Sequence, residues 1–346
     1  MLDDLKMIHE RDAQDALGVA EKQWQQYKQS YNFTWQPPRQ VVGIVVIGMG
    51  GSGLAAKLVR SWPGVPVHFE VVQEYDLPDH VSSNTLALFS SYSGNTEEVL
   101  SAFDQAMARP ENLRPMIVVI ASGGKLIDLA KQHSLPYVQL PGGYQPRMTL
   151  GFQLRALLEV IESTHVLQGS LPLLTAAGDW LHGQMNNWLP TVPTKDNQAK
   201  QIALDVIGKS VVIYAGPKLA PAAYKWKISF NENAKHIAWW NQYSELNHNE
   251  FMGWTKQPVD KPYAMIELRS SLEHPQIQKR FVVTERLLSG LRPSPIVVTP
   301  QGEDLLEQLV WVIALGDFVS LYTALLNGIN PTPVDLIEKL KTELEK

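Results

Sequence analysis

The stretch VVIGMGGSGLAAKLV, residues 45–59, decides how the first half of the chain is read. An apolar run leads into it, Gly48, Gly50 and Gly53 stand in it at the spacing G-x-G-x-x-G, and a helix-like run leaves it. A strand feeding such a turn and then a helix aims backbone N–H groups and the positive helix end at one spot, where an anion is stabilised. A dinucleotide would also need an acid about 20 residues later, at the end of the second strand. Glu70 and Glu74 both meet that spacing. Three readings therefore stand together at this point: a dinucleotide, another phosphate ligand, or a tight turn with no ligand.

Outward from the turn, candidate strands lie at 41–47, 67–72, 85–89, 116–121 and 137–140, with helical segments near 52–61, 96–108, 124–133 and 149–167. Most of these strands are unbroken Val/Ile/Leu runs without alternation. Strands of that kind are covered on both faces and, with helices between them, form a parallel sheet of βαβ units. Residues 190–198, PTVPTKDNQ, read as a linker. The pattern then restarts with strand 211–215, helix 218–230, strands 236–240 and 263–269, helix 275–289, strand 295–299 and helix 303–326. A leading helix over 1–30 and a closing helix over 333–345 complete the reading. The expectation is an α/β protein in four parts: an N-terminal helical segment 1–36, a first α/β domain 37–165, a second 195–330, and a C-terminal helix 331–346.

Composition narrows the function classes. Hydrophobic residues make up 45% of the 346 residues, with 10 Trp and 11 Tyr, which excludes a disordered chain. A net charge of −5 removes any global basic footprint for nucleic acid. With no cysteine there is no disulfide framework, no Cys-ligated zinc and no thiol nucleophile, and a reducing, cytoplasmic setting is expected. The N-terminal MLDDLKMIHERDAQDALGVAEKQWQQY mixes acids and bases where an export signal has a basic start and an apolar core. The run LVWVIALGDFVSLYTALL, 309–326, is long enough to span a bilayer but carries Asp317 at its centre, so a buried core helix is expected and no membrane partner.

The second turn of the first half shifts the balance. In LALFSSYSGNTEEVLSAF the turn itself is SSYSGNT, 90–96, dense in hydroxyls. Ser91, Ser93 and Thr96 can each donate to a phosphate oxygen, Gly94 permits a left-handed bend, and Asn95 with Thr96 suits a helix cap. Two such turns at the carboxyl edge of one parallel sheet, where ligands of open α/β sheets bind, favour a terminal phosphate monoester.

GMGGSG followed by SYSGNT resembles the sugar isomerase (SIS) fold. Together with NENAKHIAWWNQYSELNHNEFMGW at 231–254 and the ending NPTPVDLIEKLK, the chain resembles the bifunctional phosphoglucose/phosphomannose isomerases over nearly its whole length. The resemblance implies two SIS-type, flavodoxin-like α/β domains. It also implies that the opening glycines enclose a sugar phosphate rather than a dinucleotide, with Gly50, Gly51, Ser52, Ser91, Ser93 and Thr96 holding the phosphate. The implied activity is the interconversion of glucose 6-phosphate, and of mannose 6-phosphate, with fructose 6-phosphate through a cis-enediol.

Moving a carbonyl between C1 and C2 requires a base tuned near working pH, a group that opens the sugar ring, and a positive charge for the developing enediolate. The family pattern places these at Glu232 in NEN, His248 in ELNHNE, and Arg147 in PGGYQPRMTLGF. Composition alone does not choose between Glu232, Glu245 and Glu250. A C-terminal lysine resembling the family's ring-oxygen contact is Lys339 or Lys341. Val334, Ile337 and Lys341 share one helical face, which favours Lys341 and predicts that it follows a buried stripe inward. No H-x-x-x-H or HExxH pair occurs, so catalysis without a metal or other cofactor is expected. The resemblance further implies a homodimer in which the histidine reaches the neighbouring active site. The competing readings are a non-catalytic SIS-type sugar-phosphate sensor, which would more often carry an attached DNA-binding segment, and the dehydrogenase suggested by the opening turn.

Overall fold

The computed structural model describes residues 1–256 and 262–344 and resolves into two compact units, Lys22–His182 and a second formed by Met1–Glu21 with Gly183–Lys346. The expected N-terminal segment 1–36 is therefore not one body. Helices Leu5–Arg11 and Ala16–Glu21 belong to the second unit, while the 3-10 turn Gln23–Lys28 opens the first. Residues 345 and 346 of the expected closing helix lie outside the described residues.

The first unit is built on a five-stranded parallel sheet in the order β2-β1-β3-β4-β5. The strands are β1 (Gly43–Ile47), β2 (His68–Val72), β3 (Thr85–Ser90), β4 (Met116–Ala121) and β5 (Tyr137–Gln139). This is the flavodoxin-like order, whose ligand crevice lies beyond the carboxyl ends of the strands at β1 and β3. Every residue of β1, β3 and β4 is buried, as their unbroken apolar runs require. Helix Glu97–Ala108 covers them by burying Val99, Ala102, Phe103 and Ala106 at three- and four-residue spacing. Ring contact between Phe89 and Phe103, with centroids 5.3 Å apart, ties β3 to that helix.

The second unit repeats the plan on four parallel strands, β7-β6-β8-β9. They are β6 (Ser210–Ala215), β7 (Ala238–Gln242), β8 (Tyr263–Leu268) and β9 (Ile296–Val298). The apolar helix Leu305–Leu326 contains an 18-residue window of mean hydropathy 1.9, 89% of it buried, so it is a core helix, as Asp317 indicated. Lys225 and Ser229, on helix Ala220–Asn233, donate to the Asp317 carboxylate. Its neighbour Gly316 makes room for the Trp226 indole, whose ring a Cβ would meet at 2.2 Å and whose Nε1 donates to the Val312 carbonyl at 2.7 Å.

The expected linker 190–198 is an anchored segment. Lys200, fully buried at the start of helix Gln198–Val206, donates to the carbonyls of Pro190 and Val192 and to Asp3, and Asp3 also accepts from Thr194. Proline and polar residues mark where regular structure stops, but a buried ammonium can hold such a segment as firmly as a ladder does. The helix Ser170–Met185 was absent from the sequence reading because its apolar residues follow no clear helical period.

Candidate active site

In the first unit the glycines of the opening turn are set by packing. A Cβ on Gly48 would meet the Ser90 carbonyl at 2.8 Å, and one on Gly53 would meet the Gly48 carbonyl at 2.3 Å, so helix Gly50–Ser61 lies close against its own strand. Gly50 has φ +49°, a conformation that glycine adopts without strain. Gly51 faces the Pro146 carbonyl, 3.0 Å from where its Cβ would be, which lets the arginine-bearing loop lie directly on the turn.

The hydroxyl turn is joined to this one. Ser52 is buried and its Oγ accepts the Tyr92 N–H at 3.2 Å. Ser91, also buried, shares a hydrogen bond with Thr96 (Oγ to Oγ1, 2.7 Å) and accepts from the Gly94 N–H. Thr96 stands at the N-cap of helix Glu97–Ala108, but its hydroxyl is turned to Ser91 and not to the helix N–H groups. The expected capping role of Asn95 and Thr96 is thus not the one adopted: the Asn95 side chain accepts the Lys125 N–H at 3.0 Å instead. Ser93 is exposed at the tip, and Gly94, at φ +71°, would press a Cβ to 1.8 Å from the Gly123 carbonyl. Helix Gly50–Ser61 likewise has no side-chain cap. Two helix N-termini without side-chain caps, with exposed or half-buried Gly50, Gly51, Ser93 and Thr96 around them, are suited to an anion.

Arg147 sits in the 3-10 turn Pro146–Met148 and is 2% exposed, so it is not a surface arginine. Its Nη1 donates to Gln145 Oε1 at 3.3 Å. Tyr92, which the sequence reading did not single out, links the three loops. Its N–H bonds Ser52, while its hydroxyl donates to the Pro141 carbonyl (2.8 Å) and accepts from the Tyr144 N–H (3.1 Å). Burial raises the Tyr92 phenol above its ordinary value, which keeps it a neutral donor. Only its place within SSYSGNT marked it in sequence.

The dinucleotide reading fails at the end of β2. Glu70 is in mid-strand with His68 and His80 on its carboxylate, and Glu74 is exposed beyond the strand. The side chain that meets the glycine turn is the amide of Gln73, whose Nε2 lies 2.8 Å from where a Gly53 Cβ would be.

In the second unit Glu232 lies inside helix Ala220–Asn233, which runs past the expected end at 230. Both neighbours in NEN are committed to structure. The Asn231 Oδ1 accepts the Ala238 N–H that starts β7, and buried Asn233 donates to Ser320 on the core helix. Glu232 is half-buried in the last turn, where its charge opposes the helix dipole. Lys235 bonds the Glu232 carbonyl and the Pro331 carbonyl, both at 2.9 Å, tying this helix end to the segment before the C-terminal helix.

His248 ends the 3-10 turn Glu245–His248 and is exposed, but its loop is fixed at both sides. Leu246 and Trp254 are buried, Asn247 donates to Thr284 at 2.9 Å, and Arg280 donates to Asn247. The two acids of this loop hold local structure. Glu250 accepts from Tyr214 and from Asn241, and Glu245 accepts from Asn249 at 2.9 Å. Burial, then the Glu250 carboxylate, drive the Tyr214 phenol well above its ordinary value, so it stays protonated as the donor in that bond.

Lys341 departs from its expected placement. Helix Asp335–Leu344 buries none of its residues, and Lys341 is exposed and pairs with Glu338 at 2.7 Å. A helical period identifies a common face but does not say what covers it.

A family model described as the bacterial phospho-glucose isomerase C-terminal SIS domain matches residues 195–344. The bifunctional phosphoglucose/phosphomannose isomerase of Aquifex aeolicus is 33% identical over 309 residues, covering 88% of this chain and 91% of the relative. The chain belongs to the bifunctional phosphoglucose/phosphomannose isomerase family. A second member, from Caldicellulosiruptor bescii, is likewise 33% identical, over 87% of this chain and 89% of the relative. Among solved structures, a glucose-6-phosphate isomerase like protein from Thermus thermophilus shares the fold, with TM-score 0.61 and 16% identity over 97% of this chain and 99% of that one. Members of this family are sugar-phosphate isomerases, and the fold is of the SIS type.

Proposed function

We propose that the protein interconverts glucose 6-phosphate, and mannose 6-phosphate, with fructose 6-phosphate through a cis-enediol, without a metal. The observation that carries this reading is the joined pair of helix N-termini in the first unit, hydrogen-bonded through Ser52 and Tyr92 and backed by the Arg147 loop, in a chain of this family. The Gly50 and Gly51 N–H groups and the hydroxyls of Ser52, Ser91, Ser93 and Thr96 hold the 6-phosphate. That group is common to all three sugars and distant from the reacting carbons, so its binding energy serves either C2 epimer.

His248 opens the ring, with Lys341 at the ring oxygen. Glu232 then takes the proton from C2 of the open aldose; the C2–H pair forms the C1–C2 double bond as the C1 carbonyl pair moves onto O1, which is protonated. The O2 hydroxyl then gives up its proton to form the C2 carbonyl as the C1–C2 pair takes the proton back from Glu232 at C1. Arg147 offsets the negative charge that develops on the enediol oxygens; removing a donor of this kind typically costs about 10²–10³ in kcat. The half-buried place of Glu232 in the last turn of its helix, between Asn231 and Asn233 that both hold neighbouring elements, supports its role as base. An exposed His248 and a solvent-facing C-terminal helix are what a homodimer would use to share these groups.

The direct test is a coupled assay for fructose 6-phosphate from each aldose with chelator present. Turnover of both establishes the reaction and its tolerance at C2. No turnover of either returns the chain to the role of a sugar-phosphate binder.

A further inference from the structure

The open edge of the first sheet carries a group of side chains that isomerisation does not use. His68 and Glu70 are two residues apart on β2 and so project from the same face, while His80 arrives from the segment between β2 and β3. The Nε2 atoms of His68 and His80 lie 3.5 and 3.0 Å from the same oxygen, Glu70 Oε2. The imidazoles meet edge to face with centroids 5.4 Å apart, and one ligand atom from each of the three residues lies within 4.8 Å of the others. Two ligands bound at about 2.0–2.1 Å around one tetrahedral centre stand about 3.3 Å apart, and the two nitrogen–oxygen separations bracket that value.

The supports are firm. β2 is held along its length by β1, and the segment carrying His80 is pinned from helix Glu97–Ala108. Arg109 donates to the carbonyls of Val81 and Pro78, and Gln105 accepts the Leu77 N–H at 3.0 Å. The side chains are 62%, 36% and 51% exposed, leaving room for water to complete a coordination shell.

We propose that His68, Glu70 and His80 form a binding site for a divalent d-block cation of the zinc, nickel or copper class. Two imidazole nitrogens and one carboxylate oxygen suit such metals, whereas magnesium and calcium take oxygen donors. The site is separate from the phosphate-holding turns. His68 pairs with Gly43 at the start of β1, and the glycine turn follows Ile47 at its end, roughly 13 Å away at strand rise. A cation there clamps the edge strand to its crossover segment, adding coordination to the shared carboxylate and the ring contact that already join them.

The test uses the full chain stripped of metal and titrated calorimetrically with zinc, with cobalt absorption as a second readout. The expected result is one zinc per chain, visible cobalt bands, and a higher Tm with zinc. Zinc affinity should fall at least tenfold in His68→Ala and in His80→Ala, with isomerase activity and metal-free Tm as in the parent. Absence of saturable zinc binding in the parent, or a loss below tenfold in either histidine variant, overturns the proposal.

Discussion

The turn after β1 and the turn after β6 occupy the same place in their two sheets, and they differ in what sits over the helix that follows. After β1, helix Gly50–Ser61 begins with no side-chain cap. After β6, the Glu273 carboxylate fills that place: it accepts the Lys218 N–H at 2.8 Å and the Leu219 N–H, just before helix Ala220–Asn233. Gly216 has no side chain where a Cβ would stand 2.3 Å from Glu273 Oε1, so the backbone makes room for the carboxylate. The same helix start thus has no side-chain cap in the first unit and is met by the protein's own glutamate in the second. The helix whose start is filled in this way presents Glu232 from its opposite terminus.

The proposed function puts binding in the first unit and proton transfer in the second, and variants can break that division. Glu232→Gln removes the base while leaving the phosphate groups intact. We expect kcat to fall by about 10²–10⁴, KM to stay near the parent value and exchange of the C2 proton with solvent deuterium to stop. Exchange at the parental rate would end the assignment. Ser93→Ala, on the exposed tip, should do the reverse, raising KM about tenfold with kcat little changed, since a hydrogen bond to a charged group contributes on the order of 1.5–3 kcal/mol. An unchanged KM would mean that the phosphate is held elsewhere.

A smaller effect sharpens the second half of the comparison. Burial raises the Glu273 carboxyl above its ordinary value, against the lowering by the Lys218 and Leu219 N–H groups. The folded chain therefore binds this proton more tightly than the unfolded chain, and stability falls as pH rises from the ordinary glutamate range through the raised value. In Glu273→Gln that decline should flatten; parallel Tm profiles for parent and variant would refute it. Smallest of all, titration of NADH fluorescence should show no saturable binding, since Gln73 and not an acid meets the glycine turn.

Much of this was legible in the chain. Apolar runs located all nine described strands to within a few residues, most clearly β1 and β4, which are buried on both faces and have no polar side chain to spare. Asp317 correctly argued the longest apolar helix into a core, and Lys225 is the reason. Other features were out of reach. Helix Ser170–Met185 has no clear apolar period, and the anchoring of 190–198 depends on Asp3, distant in sequence. The Thr96 hydroxyl could equally have capped its helix, and only the approach of Ser91 decided otherwise. His80 is ten residues from Glu70 in an unremarkable segment, and the pinned crossover alone brings them together.

By itself, then, the order of residues determined the fold class, the two glycine- and hydroxyl-rich turns, and the motifs that mark the family, since all of these are local patterns of backbone freedom, periodicity and spacing. The tertiary structure decided which hydroxyls turn toward one another, which groups Glu245 and Glu250 accept from, that Arg147 is buried and Lys341 is not, and that one of two matching helix starts is met by the protein's own glutamate. Those outcomes depend on which distant groups compete for the same donor or the same space, and that competition exists only once the chain has folded.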